Sequence, residues 1–360
     1  MAIKSVEGSA KLSDTDEDLR KILETRKAEI KVVGVGGAGN NTISRLMQVG
    51  IVGAEIIAMN TDAQDLLYSD ADKKVLLGKD ITRGLGAGAD PKMGGEAARE
   101  SREDVKDALK GADLVFITCG LGGGTGTGAA PVVAEIAKKM NILTVGIVTL
   151  PFSMEGRVRM ANAQAGLEEL QKFADTIIVV PNDKLLEIVP DVSVVTAFKV
   201  CDEILVNSVK GVTEIVTKPG LVNRDFADIK AIMTNGGMAM IGLGESDTEN
   251  RAIEAVEKAL NNPLLDVDIE NATGALVNVV GGVDVTIREC QEIVEAVTSK
   301  ISPDAKVIWG AQISKDLGDM VRAMIIVTGI KSNQSYAYGD KVFTKEKQNQ
   351  IEKILGIDFV

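Results

Sequence analysis

The sequence predicts an α/β protein in which a doubly wound domain on a parallel sheet is joined by a long central helix to a smaller α+β domain with a mixed sheet. Three observations predict it. Between residues 30 and 181, short runs rich in Val, Ile and Leu alternate with segments of helical length; their near-continuous apolar content is that of parallel strands buried on both faces. Residues 194–218 then keep apolar positions at three- and four-residue spacing until Pro219 and Gly220 stop them, as one long helix would. Beyond that point strands return with two helical segments among them.

In chain order, residues 1–29 form a polar extension whose acidic stretch SDTDEDLR suits the start of a short helix. The first domain, 30–193, has strands at 30–36, 55–60, 73–78, 113–120, 143–150 and 175–181, with helices that include 92–109, 126–139 and 156–173. The central helix occupies 194–218. The second domain, 219–331, has strands within 229–245, 274–282, 305–313 and 321–330 and helices near 248–261 and 286–300. A tail, 332–360, is polar until the short amphipathic end QIEKILGIDFV.

Composition narrows the chemistry. The 360 residues include no histidine, which excludes Ser-His-Asp triads, Cys-His dyads and imidazole metal sites. Forty basic residues against 52 acidic ones leave a net charge of -12, which disfavours nucleic acid as a partner. Cys119, Cys201 and Cys290 are too scattered for a disulfide framework or a CxxC metal site. No apolar run approaches the ~18 residues of a membrane span, and the charged opening is unlike a signal peptide. A cytoplasmic protein without membrane insertion is expected.

The 37 glycines are bunched. Gly34, Gly36 and Gly39 satisfy GxGxxG between a strand and a helix, with Asp62 at the end of the next strand; alone, this fits a dinucleotide as well as any other phosphate ligand. Residues 120–128 hold six glycines in nine positions, again between strand and helix, a succession of amides suited to a di- or triphosphate. A third loop, Arg83 to Pro91, follows the third strand. Three such loops at the same strand ends point to a nucleoside triphosphate held by amides and helix dipoles, since neither a Walker GxxxxGK[ST] motif nor an NKxD guanine reader is present.

Residues 122–128, GGGTGTG, resemble the signature of the tubulin/FtsZ family, and the similarity runs from about residue 30 to 330. The resemblance implies a GTPase domain and the following roles. In GGAGNN, Gly37, Ala38 and Gly39 lie along the phosphates with Asn40, and Asn41 lies near the guanine. Ala38 stands where many relatives have glycine. Gly124, Thr125 and Gly126 hold phosphates, and the amides of Ala87 and Gly88 meet the γ-phosphate. In the loop matching PFxxEGxxR, Glu155 and Arg159 bind the ribose and neighbouring groups; on the long helix, Phe198 stacks on the base and Asp202 accepts from the guanine edge. Mg2+ is implied to be held mainly by phosphates and water, near Asn60 and Gln64.

The motif Asn223-Arg224-Asp225-Phe226-Ala227-Asp228 reads by spacing as a helix cap and solvated turn. The resemblance implies instead that Asp225 and Asp228, with Asn223, act on the GTP of the neighbouring subunit. A heterologous, non-closing contact of that kind builds filaments. The implied protein binds GTP/GDP and polymerises head to tail into the cell-division ring at mid-cell, with itself and membrane-tethering or division proteins as partners. A regulatory or cell-shape GTP-binding protein and, more remotely, an NAD-dependent oxidoreductase are the alternatives.

Overall fold

A computed structural model describes residues 28–184, 194–217, 226–265 and 269–330. The expected N-terminal helix, Asn223, Asp225 and the amphipathic C-terminal end lie outside these residues. Five strands share a parallel half-sheet with a sixth: β1 (Ile30–Val35), β2 (Ala54–Asn60), β3 (Lys73–Leu76), β4 (Leu114–Gly120), β5 (Leu143–Leu150) and β6 (Thr176–Pro181). Four more, β7 (Gly237–Ser246), β8 (Gly274–Gly281), β9 (Lys306–Ile313) and β10 (Val321–Thr328), extend it to ten in the order β3-β2-β1-β4-β5-β6-β7-β10-β8-β9. All pairs from β3 to β7 are parallel. β10 runs antiparallel to both β7 and β8, and β8 pairs in parallel with β9, so the second half is mixed, as expected.

The order reverses between β1 and β4, and ligands of open α/β sheets bind at such a switch point, outside the carboxyl ends of the strands. The helices that follow these two strands are α1 (Gly36–Val49) and, after α2 (Ala63–Tyr68), α3 (Pro91–Glu100) and α4 (Arg102–Leu109), α5 (Thr125–Lys139). α6 (Arg157–Gln171), α7 (Val194–Thr217), α8 (Phe226–Met233), α9 (Arg251–Leu260) and α10 (Ile287–Thr298) complete the described helices.

Burial explains the continuous apolar strands. Ile30, Val32, Leu114 and Phe116 enter one core, while Val33, Val35, Val115 and Ile117 enter another on the opposite face. The first core also takes Leu205, Val209 and Val212 of α7, Leu276 of β8 and Met324 of β10. α7 therefore seals both halves of the sheet, and a methyl on its Gly211 would stand 2.3 Å from Met324 Cε.

Three local readings change. The helix expected over 92–109 is two, broken at Ser101, whose Oγ accepts the Gly78 N–H at 2.9 Å. The first five residues of the 229–245 strand belong to helix α8: Ile229, Ile232 and Met233 are buried at helical spacing, and Asn235 (φ 54°) and Gly237 (φ 62°) turn the chain into β7. Short apolar runs fit either period, so tertiary packing decides. The short α2 was not anticipated; Asp62 Oδ1 caps it by accepting the N–H groups of Gln64 and Asp65, at 2.9 and 3.1 Å. Among the described residues no helix is long and apolar enough to cross a membrane.

α3 packs on α5 so tightly that a methyl on Gly128 would stand 1.9 Å from the Pro91 carbonyl oxygen. Gly128→Ala should therefore force α3 away and cost about 1–3 kcal/mol, seen as a lower denaturation midpoint with an unchanged m-value. A midpoint equal to the parent's would mean that α3 yields freely.

Candidate functional site

A cavity of ≈ 320 Å³ opens at the carboxyl ends of β1, β4 and β5, lined by residues 36–38 and 123–126, by Gly88, and by Glu155, Arg159 and Asp202. That volume lies within the usual range for small-molecule sites. α1 and α5 both begin at this cavity, without a side-chain cap and without an acidic residue in the first turn. Their first amides have no partner within the helix, and the positive end of each helix dipole favours an anion there. The neighbouring helices α2 and α3 are closed instead by Asp62 and Asp90.

The glycine loops are held in backbone contact with one another. Gly36 has φ 73°, and a methyl on it would stand 2.9 Å from the Gly126 nitrogen; no side chain could be accommodated. The Gly124 N–H donates to the Gly88 oxygen at 3.1 Å. That bond spends the Gly124 amide on the third loop and leaves the first-turn amides of Thr125 and Gly126 for a ligand. Thr61 Oγ1 and Thr125 Oγ1 share a hydrogen bond of 2.6 Å, joining the segment after β2 to the same cluster.

On the opposite wall Thr42 Oγ1 donates to Asp202 Oδ1 at 3.3 Å. Burial pushes the Asp202 carboxyl from its ordinary 3.8 up to about 6; the Thr42 hydrogen bond opposes this, Glu203 adds to it, and Arg45 opposes it. Glu155 and Arg159 pair with each other, and Glu155 Oε1 also accepts the Phe152 N–H at 2.9 Å.

Beside the first loop, Asn60 Nδ2 donates to Asp65 Oδ2 at 2.5 Å, and Asn60 Oδ1 accepts the Thr61 N–H at 2.8 Å. Burial, then the neighbouring Asp62, raise the Asp65 pKa, against the hydrogen bond from Asn60 and the nearby amide of Asn40. Asn40 is only 1% exposed, yet neither its Oδ1 nor its Nδ2 makes a well-formed hydrogen bond. Among the described residues no three Asp, Glu or Cys side chains converge on a metal position. One or two hard oxygen donors beside phosphate-binding loops nevertheless fit Mg2+, which commonly takes few protein ligands and keeps phosphates and waters.

Of the residues expected at the site, Gly37, Ala38, Gly88, Gly124, Thr125, Gly126, Glu155, Arg159 and Asp202 line the cavity. Gly39, Asn40 and Ala87 are buried behind it. A methyl on Gly39 would stand 2.4 Å from the Thr118 oxygen, so this glycine serves packing between β4 and α1. Asn41 and Gln64 are exposed and outside the lining, and Asp228 sits in the first turn of α8, also outside it. The side chain of Phe198, like Asn223 and Asp225, lies outside the described residues. Sequence reasoning missed Thr42 and Asp65: the Thr42–Asp202 contact spans 160 positions, and Asp65 stood in plain view in NTDAQD.

Comparison with known proteins follows the same division. Residues 29–190 match the model for the Tubulin/FtsZ family, GTPase domain, and residues 237–331 the model for the FtsZ family, C-terminal domain. The chain is 61% identical over 342 residues to cell division protein FtsZ 1 of Thermococcus kodakarensis, covering 94% of this chain and 91% of that protein. An empty FtsZ dimer from M. jannaschii superposes with a TM-score of 0.86 at 58% identity, covering 90% of this chain and 95% of that one. CetZ2 from Haloferax volcanii, at 23% identity and a TM-score of 0.74 over 91% and 99% of the two chains, shares the fold.

The raised Asp202 pKa carries a sign. Between 3.8 and about 6 the folded chain holds a proton that the unfolded chain has lost, so this residue's contribution to stability falls as pH rises through that window and stays low above it. Asp202→Asn should therefore gain stability relative to the parent as pH rises from 4 to 7. Thermal melts across that range check it, and a pH-independent difference would contradict it.

Proposed function

The chain belongs to the tubulin/FtsZ family, and from that premise we propose that its cavity binds GTP and that hydrolysis occurs where copies meet head to tail in filaments of the cell-division ring. The observation that carries this reading is the pair of uncapped helix N-termini, α1 and α5, opening on one cavity with Asp202 across from them. The amides of Gly37, Ala38, Thr125 and Gly126 take the phosphates, and Gly88 meets the terminal one. Guanine presents N–H donors at its N1 and N2 positions, which a carboxylate accepts; adenine presents an acceptor at N1, which the ionised Asp202 repels. Glu155 and Arg159 exchange their mutual pairing for the ribose and its neighbours, and Phe198 stacks on the base. Asn60 and the adjacent carboxylates are placed to hold Mg2+ through water, and the ion, when bound, supplies charge neutralisation on the phosphoryl oxygens.

The far end of α7 accounts for the shared site. Asp202 and Leu205, in its first half, line the cavity; from Asp202 the helix runs a further 15 residues to Thr217, about 22 Å at 1.5 Å per residue, and Asp225 and Asp228 follow its end in sequence. Acids at that distance serve the nucleotide of another copy, where two carboxylates orient the attacking water. Leu85 in the third loop, Met154 next to Glu155, and Val158 in the first turn of α6 next to Arg159 are 84%, 77% and 74% exposed, apolar surface suited to being covered by the next subunit. An oxidoreductase built on the first loop alone would leave the second and third loops without a role. Filaments at mid-cell further require tethering partners.

Asp228→Ala should leave GTP binding by the isolated chain within about twofold while lowering turnover by roughly 10²-fold or more, as measured by nucleotide titration and phosphate release. Equal loss of binding would place the residue in its own cavity. Sedimentation with GTP, GDP and a nonhydrolysable analogue tests assembly: the triphosphates should pellet the protein and GDP should not, and equal pelleting under all three would contradict a nucleotide-driven polymer.

A further inference from the structure

A second cavity, of ≈ 560 Å³, runs as an open groove between α3, α5 and α6 and shares no lining residue with the first. Its floor is apolar: Pro131 and Val132 of α5, Ala165 of α6, and Phe173 just beyond α6. Glycines shape it. A methyl on Gly128 would stand 1.9 Å from the Pro91 oxygen, and one on Gly166 would stand 2.5 Å from Thr127 Cγ2, so the three helices meet at backbone distance and leave the groove above their contacts. The rim carries Asp90, Glu96, Glu135 and Glu169 against Lys92 and Arg99. Lys139 and Lys172 pair with Glu135 and Glu169 from outside the lining, which leaves Asp90 and Glu96 without an ion pair among the described residues.

The chain itself supplies an occupant. Its last described residues lie beside one end of the groove: the Ile330 N–H donates to the Met238 oxygen at 3.3 Å, Gln171 Nε2 donates to Met238 Sδ at 2.9 Å, and Gln171 closes α6 two residues before Phe173. Residues 331–360 continue from there. The stretch from Ile330 to Ile351 reaches at most about 70 Å, against about 17 Å for the flank of the groove from Asn162 to Phe173, so reach is not limiting. Ile351, Ile354 and Leu355 recur at three- and four-residue spacing, and residues 341–353 carry four lysines against two glutamates. Apolar anchors so spaced suit a groove, and a basic approach suits a rim with unpaired carboxylates. Tethering favours the contact further: a flexible linker holds its end at an effective concentration on the order of 1 mM, so weak docking still fills the groove.

We propose that residues 351–360 dock in this groove of their own chain, seating Ile351, Ile354 and Leu355 on the floor made by Val132, Ala165 and Phe173. Docked there, the segment covers the seam between α3 and α5, the two helices whose first residues continue the third and second glycine loops. This goes beyond the GTP reading and does not depend on it.

The test places a photo-crosslinker in the full chain, Phe359→p-benzoylphenylalanine, without nucleotide, and maps the linked peptides by mass spectrometry. Links should form within one chain to residues 91–99, 127–135 and 162–173, and their yield should hold over about a hundredfold dilution, because a tethered end keeps its local concentration. Adding Ala165→Arg, at an exposed position of α6, or Leu355→Asp should lower that yield by about fivefold or more, since each sets a charge against apolar groups. Ala165→Ser should leave it at the parent's level, and Leu355→Asp probes the same contact without altering α6. Links confined to other surfaces, no links at all, or a yield unmoved by both charged variants would overturn the proposal. Links between chains that vanish on dilution would overturn it as well and assign the groove to the tail of a second copy. No readout involves nucleotide, so each of these failures leaves the GTP reading standing.

Discussion

The backbone contact between Gly36 and Gly126 is the constraint on which the rest of the site depends. β1 and β4 are adjacent and parallel, so the helices that follow them start side by side. Only glycine lets the two turns approach until a methyl would stand 2.9 Å from the opposing nitrogen. That approach puts two helix N-termini on one cavity and sums two partial positive charges where phosphates belong. The -12 net charge of the chain then matters little, because the anion is attracted by local dipoles.

The opposite wall of the cavity is latched to the same helix. Thr42 of α1 holds Asp202 of α7, Arg45 pairs with Glu203 at 2.6 Å, and Thr217 Oγ1 at the end of α7 donates to the Val52 oxygen at 2.9 Å. The exposed Arg45–Glu203 pair contributes little stability by itself. Its effect is geometric: α7 is tied to the body of α1 through Asp202 and Glu203 and, at its last residue, to the segment that follows α1, so the helix carrying the phosphate-facing amides and the helix carrying Asp202 keep one spacing. α7 in turn packs on strands of both halves of the sheet. A ligand bridging the two walls thus acts on the element that precedes Asp225 and Asp228 in sequence.

Much of this was legible in the sequence because it is local. Strand runs, glycine spacing and the 24-residue helix are written in consecutive residues, and each places backbone. The residues 229–233 were misread because the five residues IKAIM are too few to show a period that distinguishes a helix from a strand, and burial of Ile229, Ile232 and Met233 on one face settled it. The break at Ser101 depended on Gly78, 23 positions earlier. Thr42 and Asp65 escaped notice for the same reason: an ordinary threonine on a helix and a second acid in NTDAQD acquire meaning only when folding brings Asp202 beside the one and the amide of Asn60 onto the other.

Amide hydrogen exchange at single-residue resolution, with and without GTP, tests the central claim most directly. The account predicts that Gly37, Ala38, Thr125 and Gly126 exchange rapidly in the free protein and become protected by GTP, and that guanosine, which lacks phosphates, leaves them fast. Equal protection by guanosine, or no protection at these four amides when GTP is bound, would contradict a site built from two open helix N-termini.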